Sequence, residues 1–307
     1  MRIVALSGGV GGARFLRGLV EAATGEEITI VGNVGDDVEV LGLHVSPDLD
    51  SVLYALAGLA DEERGWGRAE ESWNALATVA TLGGEAWFRL GDRDLGLHLV
   101  RSALLAEGAT LSQVTATLAA AFGLQASLIP ATDDPLRTFI ETPAGTFPFQ
   151  EWFVARGHAD PVDAVHYAGA PEARPAPGVV ESIEAAELIV ITPSNPYVSI
   201  LPTLAVEEVR LALERRRAPC VAVSPLIGGR AVKGPADAML TRLAGATTPA
   251  AVAACYSGLI DRLVVDAADA ADAADAGVAT VITNTLMADR EARLRLAETV
   301  LEAGAVA

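Results

Sequence analysis

Two cysteines in 307 residues, Cys220 and Cys255, cannot build a disulfide framework, and neither belongs to a C-x-x-C pair. Both sit in apolar contexts and read as small buried residues. Positive charge is also scarce, with 22 Lys and Arg against 40 Asp and Glu, a net charge of -18. Nucleic acid and anionic membrane surfaces call for clustered Lys and Arg, so neither is expected as a partner. No uncharged apolar run reaches the length of a membrane span, and no basic stretch leads into a long apolar core at the start. A cytoplasmic location is expected. The histidines His44, His98, His158 and His166 show no zinc spacing, and there is no G-x-S-x-G or local Cys–His pairing. An acidic chain of this kind that binds phosphate is expected to rely on backbone amides, a few arginines and a divalent metal.

What is present begins at residue 7. A short apolar run, Ile3 to Leu6, leads into Ser7-Gly8-Gly9-Val10-Gly11-Gly12-Ala13-Arg14 and then into helical spacing at Phe15, Leu16, Leu19 and Val20. Strand, glycine-rich turn and helix together present backbone N–H groups to an anion, with the helix N-terminus adding positive potential. No Lys-Ser/Thr follows, so this is not a P-loop, and it is only loosely like G-x-G-x-x-G. A tight turn that needs glycine purely for packing is the competing reading. Ile28 to Val31 is a second buried strand, ending in Gly32-Asn33-Val34-Gly35-Asp36-Asp37. This βαβ succession predicts a parallel sheet with the first loop at its carboxyl edge and the acidic pair beside it.

The hydrophobic half of the chain (51%) supplies a sizeable core, and the length suits two average domains or one large α/β domain. The expected class is α/β: a Rossmann-like, mostly parallel sheet with helices on both faces. Its core is expected at residues 1–60 and 170–307. Between them, 61–169 reads as a mainly helical insertion over the carboxyl edge, with helical patterns at Ser72 to Leu82, Leu95 to Glu107 and Leu111 to Phe122. Phe147, Phe149, Trp152 and Phe153 close it with an aromatic cluster whose simplest role is core packing. Gly169 to Gly178 reads as a linker. Strands follow at Leu188 to Ile191, Cys220 to Val223 and Val278 to Thr283, with a closing helix from Arg290. In the Ala/Asp run, Asp266, Asp269, Asp272 and Asp275 fan around a helix axis. They read as a solvated segment, with Asp266 at a strand end.

Three loops at expected strand ends converge: Ser7 to Arg14, Asn33 to Asp50, and Thr192 to Asn195. Asp36, Asp37, Asp48 and Asp50 would repel a phosphate unless a cation lies between, and hard oxygen ligands suit Mg²⁺. Metal-assisted phosphoryl or nucleotidyl transfer fits this inventory. For Asp48 a helix cap is the simpler role.

The chain resembles the CofD family, the 2-phospho-L-lactate or phosphoenolpyruvate transferases of coenzyme F420 biosynthesis. The resemblance rests on SGGVGGARFLRGL (Ser7 to Leu19), NVGDDVEVLGLHVSPDLDSVLYALAG (Asn33 to Gly58) and WFRLGDRDLGLHLVR (Trp87 to Arg101). It continues in DDPLRTFIET (Asp133 to Thr142), PFQEWFV (Pro148 to Val154), TPSNPYVSILP (Thr192 to Pro202) and SPLIGGRAVKGPADAM (Ser224 to Met239). It implies a guanosine diphosphate ester of a three-carbon acid as donor, the deazaflavin Fo as acceptor, Mg²⁺ as cofactor, GMP as leaving group and a homodimer. The form of the glycine loop favours phosphoenolpyruvyl over lactyl.

On this resemblance the amides of Gly8, Gly9, Val10, Gly11 and Gly12 would hold the diphosphate. Asp50 with Asp36 or Asp37 would hold the metal and orient the hydroxyl, Arg89 would offset phosphoryl charge or anchor Fo, and Ser194 and Asn195 would meet guanine or ribose. Lys233 would meet the donor's carboxylate or phosphate, and Phe149 would wall the deazaflavin. Asp50→Asn is then expected to abolish transfer and leave the fold intact. Two other functions compete. One is a nucleotide-sugar-binding regulatory protein of the same superfamily, which would carry an Asp-Asp-Gly-Gly-Ser-Ser-Gly-type stretch where this chain has Asp36-Asp37-Val38-Glu39-Val40. The other is a dinucleotide oxidoreductase, for which the acidic pair comes too early.

Overall fold

The computed structural model describes residues 1–305. At its centre β1 (Arg2–Ser7), α1 (Gly9–Ala22) and β2 (Glu27–Gly32) form the expected βαβ unit, the strands parallel and in register from Arg2–Glu27 to Ser7–Gly32. Ile3 to Leu6 is buried on both faces, which is why it reads as one continuous apolar run. Next comes a hairpin, β3 (Val38–Val40) and β4 (Leu43–Val45), closed by Leu41 and Gly42 with φ of 54° and 76°. Two successive positive φ values define a type I′ turn, a geometry that leucine rarely signals in a sequence. α2 (Pro47–Leu56) follows, with proline in its first turn where a missing N–H does no harm.

Residues 61–169 carry α3 (Asn74–Thr81), α4 (Asp92–Ala106) and α5 (Leu111–Ala121), and four strands besides. β5 (Ser127–Pro130) pairs with β2 and forms an edge of the central sheet. β6 (Arg137–Thr142), β7 (Gly145–Pro148) and β8 (Ala164–Ala168) make a separate antiparallel sheet in the order β7-β6-β8. Helix outweighs strand in this insertion, as expected, but the antiparallel sheet was not foreseen. In β6 the buried positions are Thr138, Ile140 and Thr142, so two threonines hide the period of two. The Gly169–Gly178 stretch is pinned to the sheet edge, with the Ala176 N–H donating to the Ala131 carbonyl at 3.1 Å.

The chain returns to the centre through α6 (Val179–Ala185) and β9 (Leu188–Ile191), which pairs with β1 on the side away from β2. A π-helical turn (Pro196–Ile200), α7 (Leu201–Ala205) and α8 (Glu207–Arg215) lead to β10 (Cys220–Val223). A two-residue-per-strand hairpin, β11 (Leu226–Ile227) and β12 (Arg230–Ala231), precedes α9 (Ala236–Ala244), α10 (Pro249–Cys255) and β13 (Arg262–Asp266). The chain ends with a 3-10 segment (Ala267–Asp275), β14 (Ala279–Thr283) and α11 (Arg290–Ala305). On one face α1 packs against α2 and α11, and α6 packs against α8. Gly18 permits the close approach of α11, because a Cβ there would lie 2.6 Å from the Arg293 carbonyl oxygen.

The Ala/Asp run is more than a solvated segment. Asp269 is 5% exposed and accepts from the Gly228 and Gly229 amides at 2.9 and 2.6 Å. Asp266 does stand at a strand end, where it caps the 3-10 segment and accepts from Thr285. Asp269 thereby fixes the base of the loop that carries Lys233.

Strand order is β14-β13-β10-β9-β1-β2-β5. From β1 the sheet grows one way through β2 and β5, and from β9 the other way. Open α/β sheets bind ligands beyond the carboxyl ends of the strands at such a reversal. Here the crevice lies between the loops that follow β1 and β9.

Candidate active site

The glycine loop sits at that crevice, and its glycines serve close packing. A Cβ on Gly12 would lie 2.5 Å from both the Ser194 and Ser7 hydroxyls, and one on Gly11 would lie 2.8 Å from the Pro193 carbonyl oxygen. A Cβ on Gly8 would strike the Asp48 carboxylate and come within 2.7 Å of the Ser199 carbonyl oxygen. Gly9 has φ +68°, the left-handed region that suits glycine. Gly9 and Val10 are half-buried and Gly11 is exposed, so the first turn of α1 keeps an open side. Gly8→Ala is expected to cost about 1–3 kcal/mol by overpacking. A thermal melt that coincides with the parent's would refute this packing.

Ser194 and Asn195 brace this loop. The Ser194 hydroxyl donates to the Gly8 carbonyl at 2.6 Å and lies 2.8 Å from the Thr192 hydroxyl. Asn195 Oδ1 accepts from the Tyr197 N–H at 3.0 Å, and its Nδ2 faces Met239 Sδ at 3.3 Å. Their polar atoms position the crevice rather than project into it.

Opposite the loop lies an acidic cluster made of Asp36, Asp37 and Asp48, which are 6%, 4% and 4% exposed. Asn33 ties it together, its Nδ2 donating to Asp36 Oδ1 at 2.7 Å, to Asp48 Oδ2 at 2.9 Å and to the Val198 carbonyl at 3.0 Å. Burial, then the charges of Asp48 and Asp37, push the Asp36 carboxyl well above the carboxylate range. Burial also pushes Asp48 up to about 6, against hydrogen bonds from the Asn33 amide and the Gly9 N–H that favour its ionised form. Asp48 therefore occupies part of the positive end of α1. Asp37 Oδ2 accepts from the Ser46 hydroxyl at 3.0 Å and pairs with His44 Nε2 at 2.9 Å. Its Oδ1 is buried with no hydrogen-bond partner among the described residues.

Three buried carboxylates with an orphaned oxygen suit a hard divalent cation, which would neutralise them and use that lone pair. No three His, Cys, Asp or Glu side chains among the described residues form a ready-made cage. A cation there needs further oxygens from a bound ligand.

Asp50, set at the centre of the site by the motif comparison, points elsewhere. Both of its oxygens face the guanidinium of Arg101, with Nη1 to Oδ2 at 3.0 Å and Nη2 to Oδ1 in a second ion-pair contact. Residues two apart on a helix project about 200° from one another. Asp48 thus reaches the glycine loop while Asp50 reaches α4. Behind the pair, His98 Nδ1 lies 3.2 Å from Arg101 Nη1, and Tyr54 donates to Asp94 at 2.5 Å. Asp48, read from sequence as a simple cap, stands in the cluster beside the glycine loop, and Asp50 is engaged with Arg101.

Arg89 and Lys233 both approach the stretch 64–73 of the insertion. Phe88 and Leu90 dock on Val40 and Val45 of the hairpin, leaving Arg89 outside with its guanidinium 4.6 Å from the Trp73 ring centroid. Arg64 lies 5.1 Å from the same ring and 4.8 Å from Trp66. The Lys233 ammonium donates to the carbonyls of Gly65 and Arg64 at 2.8 and 3.2 Å. Partial burial and the nearby charge of Arg14, in the glycine-loop motif, hold its pKa down. Arg14 and Lys233 are thus neighbours, and Arg89 shares the Trp73 ring with Arg64, which is itself paired with Asp61.

Phe149 stacks on Phe153 with centroids 5.4 Å apart and joins Trp152, Ile140, Val198 and Met239 in a second core. It also lines a cavity of about 190 Å³ with Asp36, Asp37, Arg137, Thr138 and Gln150. Its core packing is as expected, and the same ring also forms wall of this cavity. A neighbouring cavity of about 290 Å³ shares Glu39 and Arg137 and adds His44 and Ser102. Arg137 was not singled out from sequence; its signal was its place in the DDPLRTFIET motif.

Fold and site together define a Rossmann-like α/β protein with a glycine-lined, acidic crevice at the reversal of its sheet. The family model of 2-phospho-L-lactate transferase CofD matches residues 3–303, and the chain belongs to that family. It is 46% identical over 312 residues to a phosphoenolpyruvate transferase of Kitasatospora aureofaciens, covering 98% of this chain and 97% of that one. With a phosphoenolpyruvate transferase of Streptomyces coelicolor the identity is 43% over 310 residues, covering 98% and 97%. A crystal structure of a UPF0052-family protein from Bacillus halodurans shares the fold, with a TM-score of 0.65 at 18% identity over 97% of this chain and 99% of that one. Among the described residues no helix is long and apolar enough to cross a membrane.

Proposed function

We propose that this chain transfers a phosphorylated three-carbon acid, phosphoenolpyruvyl in preference to phospholactyl, from a guanosine diphosphate ester to the ribityl hydroxyl of Fo in coenzyme F420 biosynthesis. The hydroxyl oxygen bonds to the phosphorus that bears the acid, the bond from that phosphorus to the GMP oxygen breaks, and GMP leaves. The hydroxyl proton passes to solvent or to a carboxylate of the cluster. The observation that carries this reading is the cluster of Asp36, Asp37 and Asp48 against the glycine loop, with Asp37 Oδ1 unpartnered among the described residues. Membership of the CofD family and the names of the relatives support the transferred group.

Mg²⁺ would be held by those three aspartates with phosphate oxygens, and would supply charge neutralisation at the transferred phosphoryl group. The open first turn of α1 takes the diphosphate, and Arg14, Arg89 and Lys233 offset its charge. Arg101 holds the Asp50 carboxylate in place behind the cluster. A homodimer in the cytoplasm, with no nucleic acid or membrane partner, completes the reading.

The test is mass spectrometry of the products formed from Fo and each guanylated donor with Mg²⁺. The phosphodiester of the phosphoenolpyruvyl donor and one equivalent of GMP are expected. Binding of a UDP-sugar with no product from either donor would overturn the proposal.

A further inference from the structure

The two cavities beside the cluster carry an uneven charge. Asp36, Asp37 and Glu39 line the smaller one, and Glu39 lines the larger as well. Arg137 is the one arginine or lysine among the residues that line either, and it lines both, while His44 of the larger cavity is turned to Asp37. It is half-buried at the start of β6. One guanidinium nitrogen donates to the Leu136 carbonyl at 2.7 Å. Arg137 forms no ion pair among the described residues, although carboxylates line the same cavities.

The walls near it are built. The Thr138 N–H donates to the Gly35 carbonyl at 2.5 Å, which locks β6 to the loop that carries Asp36 and Asp37. Thr138 is 2% exposed and lines the smaller cavity, and its buried hydroxyl, close to Gly35, has no partner among the described residues. Phe139, Pro148 and Phe149 supply apolar wall. At about 190 Å³ this space is below the roughly 300 Å³ at which pockets for drug-sized ligands begin. It suits a fragment of a few atoms better than a nucleoside or a three-ring acceptor.

We infer that Arg137 anchors the carboxylate of the three-carbon acid, with the Thr138 hydroxyl as a second donor, and that the small cavity beside Phe149 holds this transferred group. The inference rests on the reading given under Proposed function. A planar guanidinium with free N–H groups matches a carboxylate edge to edge, and a site lined by aspartates admits an anion only against such a counter-charge. GDP, which lacks the acid, does not reach Arg137. Phe149 then contacts the transferred group, and the ring of the acceptor lies outside this cavity.

The experiment measures binding of the guanylated phosphoenolpyruvate ester and of GDP, both with Mg²⁺, to the parent, Arg137→Ala and Arg137→Lys, by calorimetry. Loss of a bidentate carboxylate pair is expected to weaken the ester at least about tenfold in Arg137→Ala while GDP changes less than about twofold. Arg137→Lys, which keeps the charge and loses the fork, falls between them. Equal weakening of ester and GDP, or no weakening of the ester, overturns the assignment, as does a loss confined to the KM for Fo. Product formation by the parent tests the underlying reading separately. An ester that binds through Arg137 but yields no phosphodiester defeats the transfer and leaves the anchor standing. Normal turnover with ester binding unchanged in Arg137→Ala defeats the anchor alone.

Discussion

Asparagine in place of Asp48 is expected to raise the melting temperature of the metal-free protein at neutral pH and to cut phosphodiester formation at least about a hundredfold. Both effects have one cause. Asp36 and Asp48 hold protons more tightly in the folded chain than in the unfolded one, chiefly through burial, with added repulsion from Asp48 and Asp37 on Asp36 and from Asp37 on Asp48. Where the native state binds more protons, stability falls as pH rises. For Asp48 that window runs from its ordinary value of 3.8 to about 6. Metal-free parent protein should therefore melt higher at pH 5 than at pH 7.5, and Asp48→Asn should flatten the slope. Added Mg²⁺ should stabilise the parent and leave the variant nearly unmoved. A variant that melts lower than the parent at pH 7.5 and keeps its turnover would remove Asp48 from the site.

The second large effect falls on Arg101. It is 0% exposed and faces Asp50, which is 5% exposed. Removing one member of a buried ion pair strands the other and costs about 3–5 kcal/mol. For a chain of this size, Arg101→Ala should lower the melting temperature by on the order of 10 °C. Asp50→Asn strands Arg101 in turn, so the expectation that it leaves the fold intact does not survive the structure. The double variant Asp50→Leu with Arg101→Met should recover much of the lost stability, because well-packed apolar pairs replace such ions at little cost. It should not recover turnover if Asp50 helps to fix the cluster. An Arg101→Ala protein that melts within about 2 °C of the parent would show that the pair carries little.

Much of the framework was legible because its signals are local. Continuous apolar runs marked β1, β2, β9 and β10, and helical spacing marked α4, α5 and α11. Most strands that escaped notice lacked that signal, although Leu263 to Val265 of β13 carries it. β6 buries two threonines, β5 is a four-residue edge, and the β3–β4 hairpin turns on Leu41 in a conformation sequences usually give to glycine or asparagine.

The site was legible as a set of loops and not as a set of directions. Asp48 and Asp50 look equivalent in sequence, and only the turn of α2 sends one to the glycine loop and the other to Arg101. Arg101 itself is a buried cation that composition hides, since arginines are mostly exposed. Arg137 shares a cavity with Asp37 because β6 is hydrogen-bonded to Gly35, a pairing of distant segments that no local pattern announces. Ser194 and Asn195 were placed at the right crevice, but their hydrogen bonds serve the scaffold.

The reversal of the sheet between β1 and β9 also sets an order of assembly. Gly8 and Ser194, whose backbone and hydroxyl meet at the crevice, lie 186 positions apart. A chain growing from its N-terminus makes β1 early but leaves one edge unpaired until Leu188 to Ile191 emerges. That edge carries Ile3 to Leu6, an apolar template of the kind that draws stray strands. Contacts between such distant segments also slow folding. A fragment ending after α5 keeps this edge open. The glycine loop is thus among the first parts of the site to be synthesised and among the last to take shape.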